Sequence, residues 1–194
     1  MKNYKYLIMI LLLLLNVAVE ATVVSLDTGK QPQTQDGQVF NFNFMQDEVL
    51  LSDGTGGILF FQVRGDYSHP FPQFENLKIE IDGEAFGPYG PSTTGAFILE
   101  EFNDEDTEWG LSTLVTASLI DTWTSDGVID MVVTLSSAVE INLAAQLPKQ
   151  GYLFEPYIDV TLTYSAVPLP LSIWFFATGI FSLYGMRRLT AKST

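Results

Sequence analysis

Apolar and polar residues alternate with period two through much of the middle of the chain, whereas its two ends carry unbroken apolar runs. Val39-Phe40-Asn41-Phe42-Asn43-Phe44 places its phenylalanines on one face and its asparagines on the other, which predicts a half-buried strand. Gly57-Ile58-Leu59-Phe60-Phe61-Gln62-Val63-Arg64 is a continuous β-prone run between turns at Asp53-Gly54 and Gly65-Asp66, as expected of a strand nearer the centre of a sheet. Leu77-Lys78-Ile79-Glu80-Ile81 alternates up to Asp82-Gly83, a dipeptide suited to a tight hairpin because both positions tolerate positive φ. Val23-Val24 marks a short lead-in strand before loop to Gln38. Further strands are expected at Ala96 to Glu101, Leu111 to Thr116, Val128 to Leu135, Val139 to Leu143 and Tyr157 to Tyr164, about eight or nine in all. One helical piece is expected from Ala117 to Ser125, with Leu119 and Trp123 on one face and Thr116 as a cap. Many short strands with almost no helix predict an all-β fold, an antiparallel β-sandwich of jelly-roll or immunoglobulin-like type, and the pattern leaves both open.

The apolar ends divide the chain. Lys2 and Lys5 precede the run Leu7 to Leu15, and Val19-Glu20-Ala21 offers small residues for cleavage, so residues 1–21 read as a secretory signal cut after Ala21. That run is well short of the roughly 20 residues a membrane-spanning helix needs. Leu169 to Met186, by contrast, holds no charged residue and is followed by Arg187-Arg188, which reads as one short membrane span with its basic end in the cytoplasm. Between them, residues 22–166 have the size of a single domain with one core.

Composition narrows what this body does. The sequence has no cysteine, which excludes a disulfide framework, a thiolate metal site and a cysteine nucleophile, so stability rests on packing. Residues 22–166 carry four basic residues, Lys30, Arg64, Lys78 and Lys149, against 22 acidic ones, a net charge of −18. Such a surface repels phosphate backbones, and a nucleic-acid partner is not expected.

The densest charge run is Glu100-Glu101-Phe102-Asn103-Asp104-Glu105-Asp106-Thr107-Glu108. Alternate carboxylates in a loop are what a hard cation requires, making Asp104, Asp106 and Glu108 candidate calcium ligands, although a solvated acidic loop is the default reading of such a run. It is not an EF-hand, because Trp109 and Val115 stand where that loop needs Gly and Glu. His69, the single histidine, lies in the proline-punctuated Tyr67-Ser68-His69-Pro70-Phe71-Pro72, and without a G-x-S-x-G elbow nothing pairs it with a nucleophile. No catalytic residue and no cofactor other than calcium is expected. Tyr67, Phe71, Phe74, Tyr89 and Trp109 are aromatic candidates for stacking on sugars or for packing in a core.

Val167-Pro168-Leu169-Pro170, then Trp174, Phe176, Gly179, Gly185 and the pair Arg187-Arg188, resembles the VPLP form of the PEP-CTERM sorting signal. Pro168 and Pro170 match the paired prolines of that family, Trp174 to Met186 its membrane helix, and Arg187 and Arg188 its basic end. Leu169 stands where the commonest form has Glu. Physically, the prolines break a preceding strand and present unpaired backbone just outside the membrane. The resemblance covers the C-terminal segment 167–194 alone. It implies recognition by an exosortase, a membrane transpeptidase, with cleavage near Pro-Leu-Pro and transfer to the cell surface or an exopolysaccharide-rich matrix. The sequence therefore leads to an exported, non-enzymatic surface or matrix protein; a calcium-assisted carbohydrate-binding module and a plain single-pass membrane protein are the alternatives.

Overall fold

The computed structural model describes residues 21–45, 48–67, 74–101, 106–141 and 155–167. The expected signal segment before Ala21 and the expected span 169–186 lie outside these residues, as do His69, Phe71 and Asp104. Among the described residues no helix is long and apolar enough to cross a membrane. Val23–Ala166 forms one compact unit.

Among the described residues ten strands and one helix follow in chain order: β1 Thr22–Asp27, β2 Gln31–Pro32, β3 Val39–Phe44, β4 Ser52–Asp66, β5 Leu77–Ile81, β6 Glu84–Tyr89, β7 Phe97–Glu101, β8 Asp106–Val115, α1 Ala117–Thr124, β9 Ile129–Leu135 and β10 Tyr157–Ala166. They build two sheets. The larger runs β1-β10-β4-β8-β7, with β2 also on β10; the smaller runs β3-β9-β5-β6. The chain passes repeatedly from one sheet to the other, so strands adjacent in space are often distant in sequence.

Alternation decides which face meets the core. In β4, Leu59, Phe61 and Val63 are fully buried while Ile58 is 47% exposed, and β10 presents Ile158, Val160 and Leu162 inward beside them. From the smaller sheet, Phe40, Phe42 and Phe44 of β3 lie opposite Val133, Met131 and Ile129 of β9, which in turn meet Ile79 and Ile81 of β5. These faces join in one hydrophobic core, the single core that two packed sheets require. Aromatic rings run through it: Tyr89 to Phe61 at 5.2 Å, then Phe61 to Trp109 and Trp109 to Tyr67, both edge-on at 5.5 Å. The helix α1 contributes to both sheets, with Ile120 against Gly57 of β4 and the Trp123 ring 5.8 Å from Phe86 of β6.

The hairpin at Asp82-Gly83 forms as its sequence demands, with φ of 48° and 81°. Several local expectations are corrected. Of the strand expected from Val139 to Leu143, Val139 lies in a turn with its N–H bonded to the Ser136 carbonyl, no strand runs from it to Ile141, and Asn142 and Leu143 lie outside the described residues. Thr116 occupies the N-cap of α1, yet its hydroxyl meets Ser118 Oγ and caps no backbone N–H. β6 was hidden by Gly87 and Pro88, which mark a break unless the strand lies at an edge, where this one does. β8 starts at Asp106, five residues before the apolar run, because β4 and β7 extend far enough to pair Asp106, Thr107 and Glu108.

Candidate functional site

That extension of β8 turns much of the acidic run into sheet. Glu100 and Glu101 belong to β7, and Glu100 lies opposite Glu108. Asp106, Thr107 and Glu108 are buried in β8, so the described part of the run is not a solvated loop. Of the three calcium candidates, Asp106 and Glu108 stand on one strand two residues apart, and Asp104 is outside the described residues. Among the described residues no three His, Cys, Asp or Glu side chains come together as a metal-holding group.

Glu108 instead organises a network on the outward face of the larger sheet. Register sets Arg64 of β4 between Glu108 of β8 and Tyr157 of β10. One Glu108 oxygen accepts the Tyr157 hydroxyl proton at 2.8 Å and a hydrogen bond from Gln62 Nε2. The other accepts from Arg64 Nε at 2.8 Å and from Nη2, completing an ion pair. Burial alone raises the Glu108 pKa, but hydrogen bonds from Tyr157, Arg64 and Gln62 and the Arg64 charge outweigh it, leaving the carboxyl below its ordinary value. Burial first, then the hydrogen bond and charge of Glu108, push the Tyr157 hydroxyl far up.

Cations gather on the same tyrosine. Lys30 Nζ stands 4.2 Å from the centroid of the Tyr157 ring and the Arg64 guanidinium 5.4 Å from it. Two of the four basic residues of the body thus meet one ring. One step along β10, burial and then the neighbouring Asp27 carboxylate raise the Asp159 pKa, while Lys30 pulls it down. Asp159 lies opposite Gln62, so carboxylates, amide, phenol and cations form one continuous polar patch.

The alternation of Gln62 and Arg64 with buried Phe61 and Val63 was a readable signal that both point outward. Their partnership with Glu108 and Tyr157 was not readable, because it depends on which distant strands are neighbours. Among the aromatic candidates, Trp109 and Tyr67 are buried and serve the core, Tyr89 packs against it, and Phe74 is 73% exposed. Of the tail, Val167 is described and follows β10 directly; Pro168, Leu169, Pro170, Trp174, Arg187 and Arg188 lie outside the described residues. Ala21, exposed, immediately precedes β1.

No protein-family model matches the chain, and no curated protein matches it. Three solved structures are similar over most of its length. A dimeric latent PorU from Porphyromonas gingivalis is 6% identical with a TM-score of 0.38, over 78% of this chain and 13% of that one. The PBCV-1 virus capsid is 10% identical with a TM-score of 0.37, over 78% and 43%. A family 35 carbohydrate binding module from an environmental isolate is 10% identical with a TM-score of 0.27, over 79% and 96%.

Proposed function

We propose that the chain is an exported, non-enzymatic surface or extracellular-matrix protein, whose body is released from a C-terminal membrane anchor by an exosortase-type enzyme and contacts exopolysaccharide. One observation carries the sorting part of this reading. The last strand, β10, ends at Ala166, and Val167-Pro168-Leu169-Pro170 follows at once. A cut near Pro-Leu-Pro leaves every described strand on the released side, whereas a cut a few residues earlier removes part of β10. The strand orders β1-β10-β4-β8 and β3-β9-β5-β6 support a jelly roll over an immunoglobulin-like sandwich for the body, since the chain alternates between sheets in the manner of paired Greek keys. A non-enzymatic role is favoured by the polar patch itself, where Glu108 is saturated by Gln62, Arg64 and Tyr157. For Glu108 to take a calcium ion it would have to release Arg64.

The test is mass spectrometry of the C-terminal peptide from native cells, comparing membranes with the matrix fraction. A terminus between Val167 and Pro170, in the matrix, supports processing. A terminus at Thr194 found in membranes alone makes the chain a plain single-pass protein and ends the sorting reading.

A further inference from the structure

We propose that the outward face of the larger sheet is a binding site for an extended, uncharged polysaccharide. This deepens the reading of the body as a matrix protein and rests on it. The face is a grid set by strand register. Ile58 lies between Thr163 and Leu114, Phe60 between Thr161 and Ser112, Gln62 between Asp159 and Gly110, and Arg64 between Tyr157 and Glu108. From Ile58 to Arg64 the rows extend about 20 Å along the strands.

Two properties of this grid fit a sugar chain. The first is an aromatic platform. Phe97 of the edge strand β7 lies across Gly110, where a Cβ would come within 2.7 Å of its Cζ, and so reaches Phe60 two strands away. The Phe60 and Phe97 rings stack with centroids 6.3 Å apart and planes 17° from parallel. Phe97 remains 40% exposed, and Ile58 and Leu114, in the row beyond Phe60, are 47% and 83% exposed. Pyranose C–H faces pack on such a surface. The second property is the adjoining polar patch, in which half-buried Gln62 and Asp159 border the platform with hydrogen-bonding groups suited to hydroxyls, while Glu108 and Tyr157 are buried, bond each other and fix the position of Gln62.

Charge selects among occupants. Lys30 and Arg64 sit among Asp27, Asp159, Glu100 and Glu108, so the face offers no surplus of positive charge to a polyanion. A second copy of the body would bring a further −18 against the first. An uncharged chain pays neither penalty, and an apolar platform with a polar border is the usual form of a site for a neutral ligand with two chemical faces.

The full chain, solubilised in detergent, is tested by co-sedimentation with particles of β-1,3-glucan, β-1,4-glucan and β-1,4-mannan, with alginate beads as the acidic counterpart. Retention on at least one neutral polysaccharide is expected, weakened about tenfold by Phe97→Ser and several-fold by Leu114→Asp. Leu114→Asp should keep the wild-type urea midpoint, since that side chain is 83% exposed, whereas Phe97→Ser gives up the stack on Phe60 and should lower the midpoint modestly with the body still fully folded in the absence of urea. Blank results on all three neutral polymers, retention indifferent to both variants, or stronger retention on alginate each overturn the proposal. So does dimerisation in sedimentation velocity that Leu114→Asp abolishes, which would make the face a self-interface. The assay does not depend on where the terminus is cut, so a blank result with a matured terminus in the matrix removes the sugar site and leaves the sorting reading intact.

Discussion

Replacing Tyr67 by Phe should stabilise the body, although it removes a hydroxyl from the centre of the fold. Tyr67 follows β4 and folds back on it. Its N–H bonds to the Gly65 carbonyl at 3.0 Å, and its ring covers Gly65, where an added Cβ would stand 3.1 Å from Cε2. The ring is buried edge-on against Trp109, and its hydroxyl has no hydrogen-bond partner among the described residues. Burying an unpaired hydroxyl costs about 1–3 kcal/mol, and deleting one oxygen forfeits only some of the packing contacts. The variant should therefore gain about 0.5–2 kcal/mol at pH 7, visible as a rise of a few degrees in Tm for a domain of this size.

Alkaline pH supplies an independent check on the same group. Burial, then the carboxylates of Glu75 and Asp66, push the Tyr67 hydroxyl far above its ordinary value of 10.0. The raised pKa means that its contribution to stability is intact below pH 10 and is lost as the unfolded chain ionises above it. The slope for one proton is about 1.4 kcal/mol per pH unit. Tyr157 and Tyr164 are also raised, but they act equally in both proteins and cancel in the difference. Urea denaturation of residues 22–167, followed by tryptophan fluorescence from pH 7 to 11.5, should show the advantage of the variant growing steadily above pH 10. A loss of more than about 1 kcal/mol at pH 7, a typical net hydrogen bond, would mean that the hydroxyl has a partner. A gap that stays flat to pH 11.5 would mean that it ionises as readily folded as unfolded.

Glu108→Ala should cost about 2–4 kcal/mol, because it removes the ion pair to Arg64 and the buried acceptor of the Tyr157 hydroxyl together. The depressed Glu108 pKa adds that the wild-type advantage, present above about pH 4.5, shrinks as pH falls through the folded-state value, which urea titrations at pH 7 and pH 3 would detect. Asp159→Asn should stabilise at neutral pH by removing repulsion from Asp27; since the Asp159 pKa is raised, the benefit should fade as the wild-type group protonates on acidification, and a benefit independent of pH would contradict the assignment. A body ending at Val167 should unfold cooperatively, whereas one ending at Thr161 loses buried Leu162, Tyr164 and Ala166, about 1.5–3 kcal/mol for each of the two large side chains before cavity costs, and should show no cooperative transition by circular dichroism.

Strand alternation in the sequence located β3, β5, β9 and the centre of β4, because each buries one face and the period-two pattern records it. Its failures share one cause, long-range pairing overriding local chemistry. Asp106-Thr107-Glu108 reads as loop from its charge, yet β4 and β7 supply ladder bonds on both sides and Arg64 neutralises Glu108. Gly87-Pro88 reads as a break, yet it falls at the register shift between the Leu77–Tyr89 and Ile79–Phe86 pairs of an edge strand, where the ladder does not need the missing N–H. Val139 reads as strand, yet the turn bond to Ser136 takes it out of the ladder. The polar patch was the least legible feature. Gln62, Glu108 and Tyr157 are separated by 46 to 95 residues, and only the strand order brings them together.

That strand order also gives the two ends of the body opposite tolerances. β1, nearest the expected signal segment, is an outer strand that commits chiefly Val24 and Leu26 to the core, so a shift of one or two residues in the expected cleavage would touch little of the packing. β10, nearest the paired prolines, is central, with β1 and β2 on one side and β4 on the other. Near its end the Tyr164 hydroxyl donates to the Leu50 carbonyl at 2.9 Å and accepts the Leu50 N–H at 3.1 Å, pinning the entry to β4. A cut inside β10 would open the middle of the sheet, and one beyond Ala166 would leave it whole. The proline motif begins at that limit, so the proposed processing there would act on backbone that the sheet does not need.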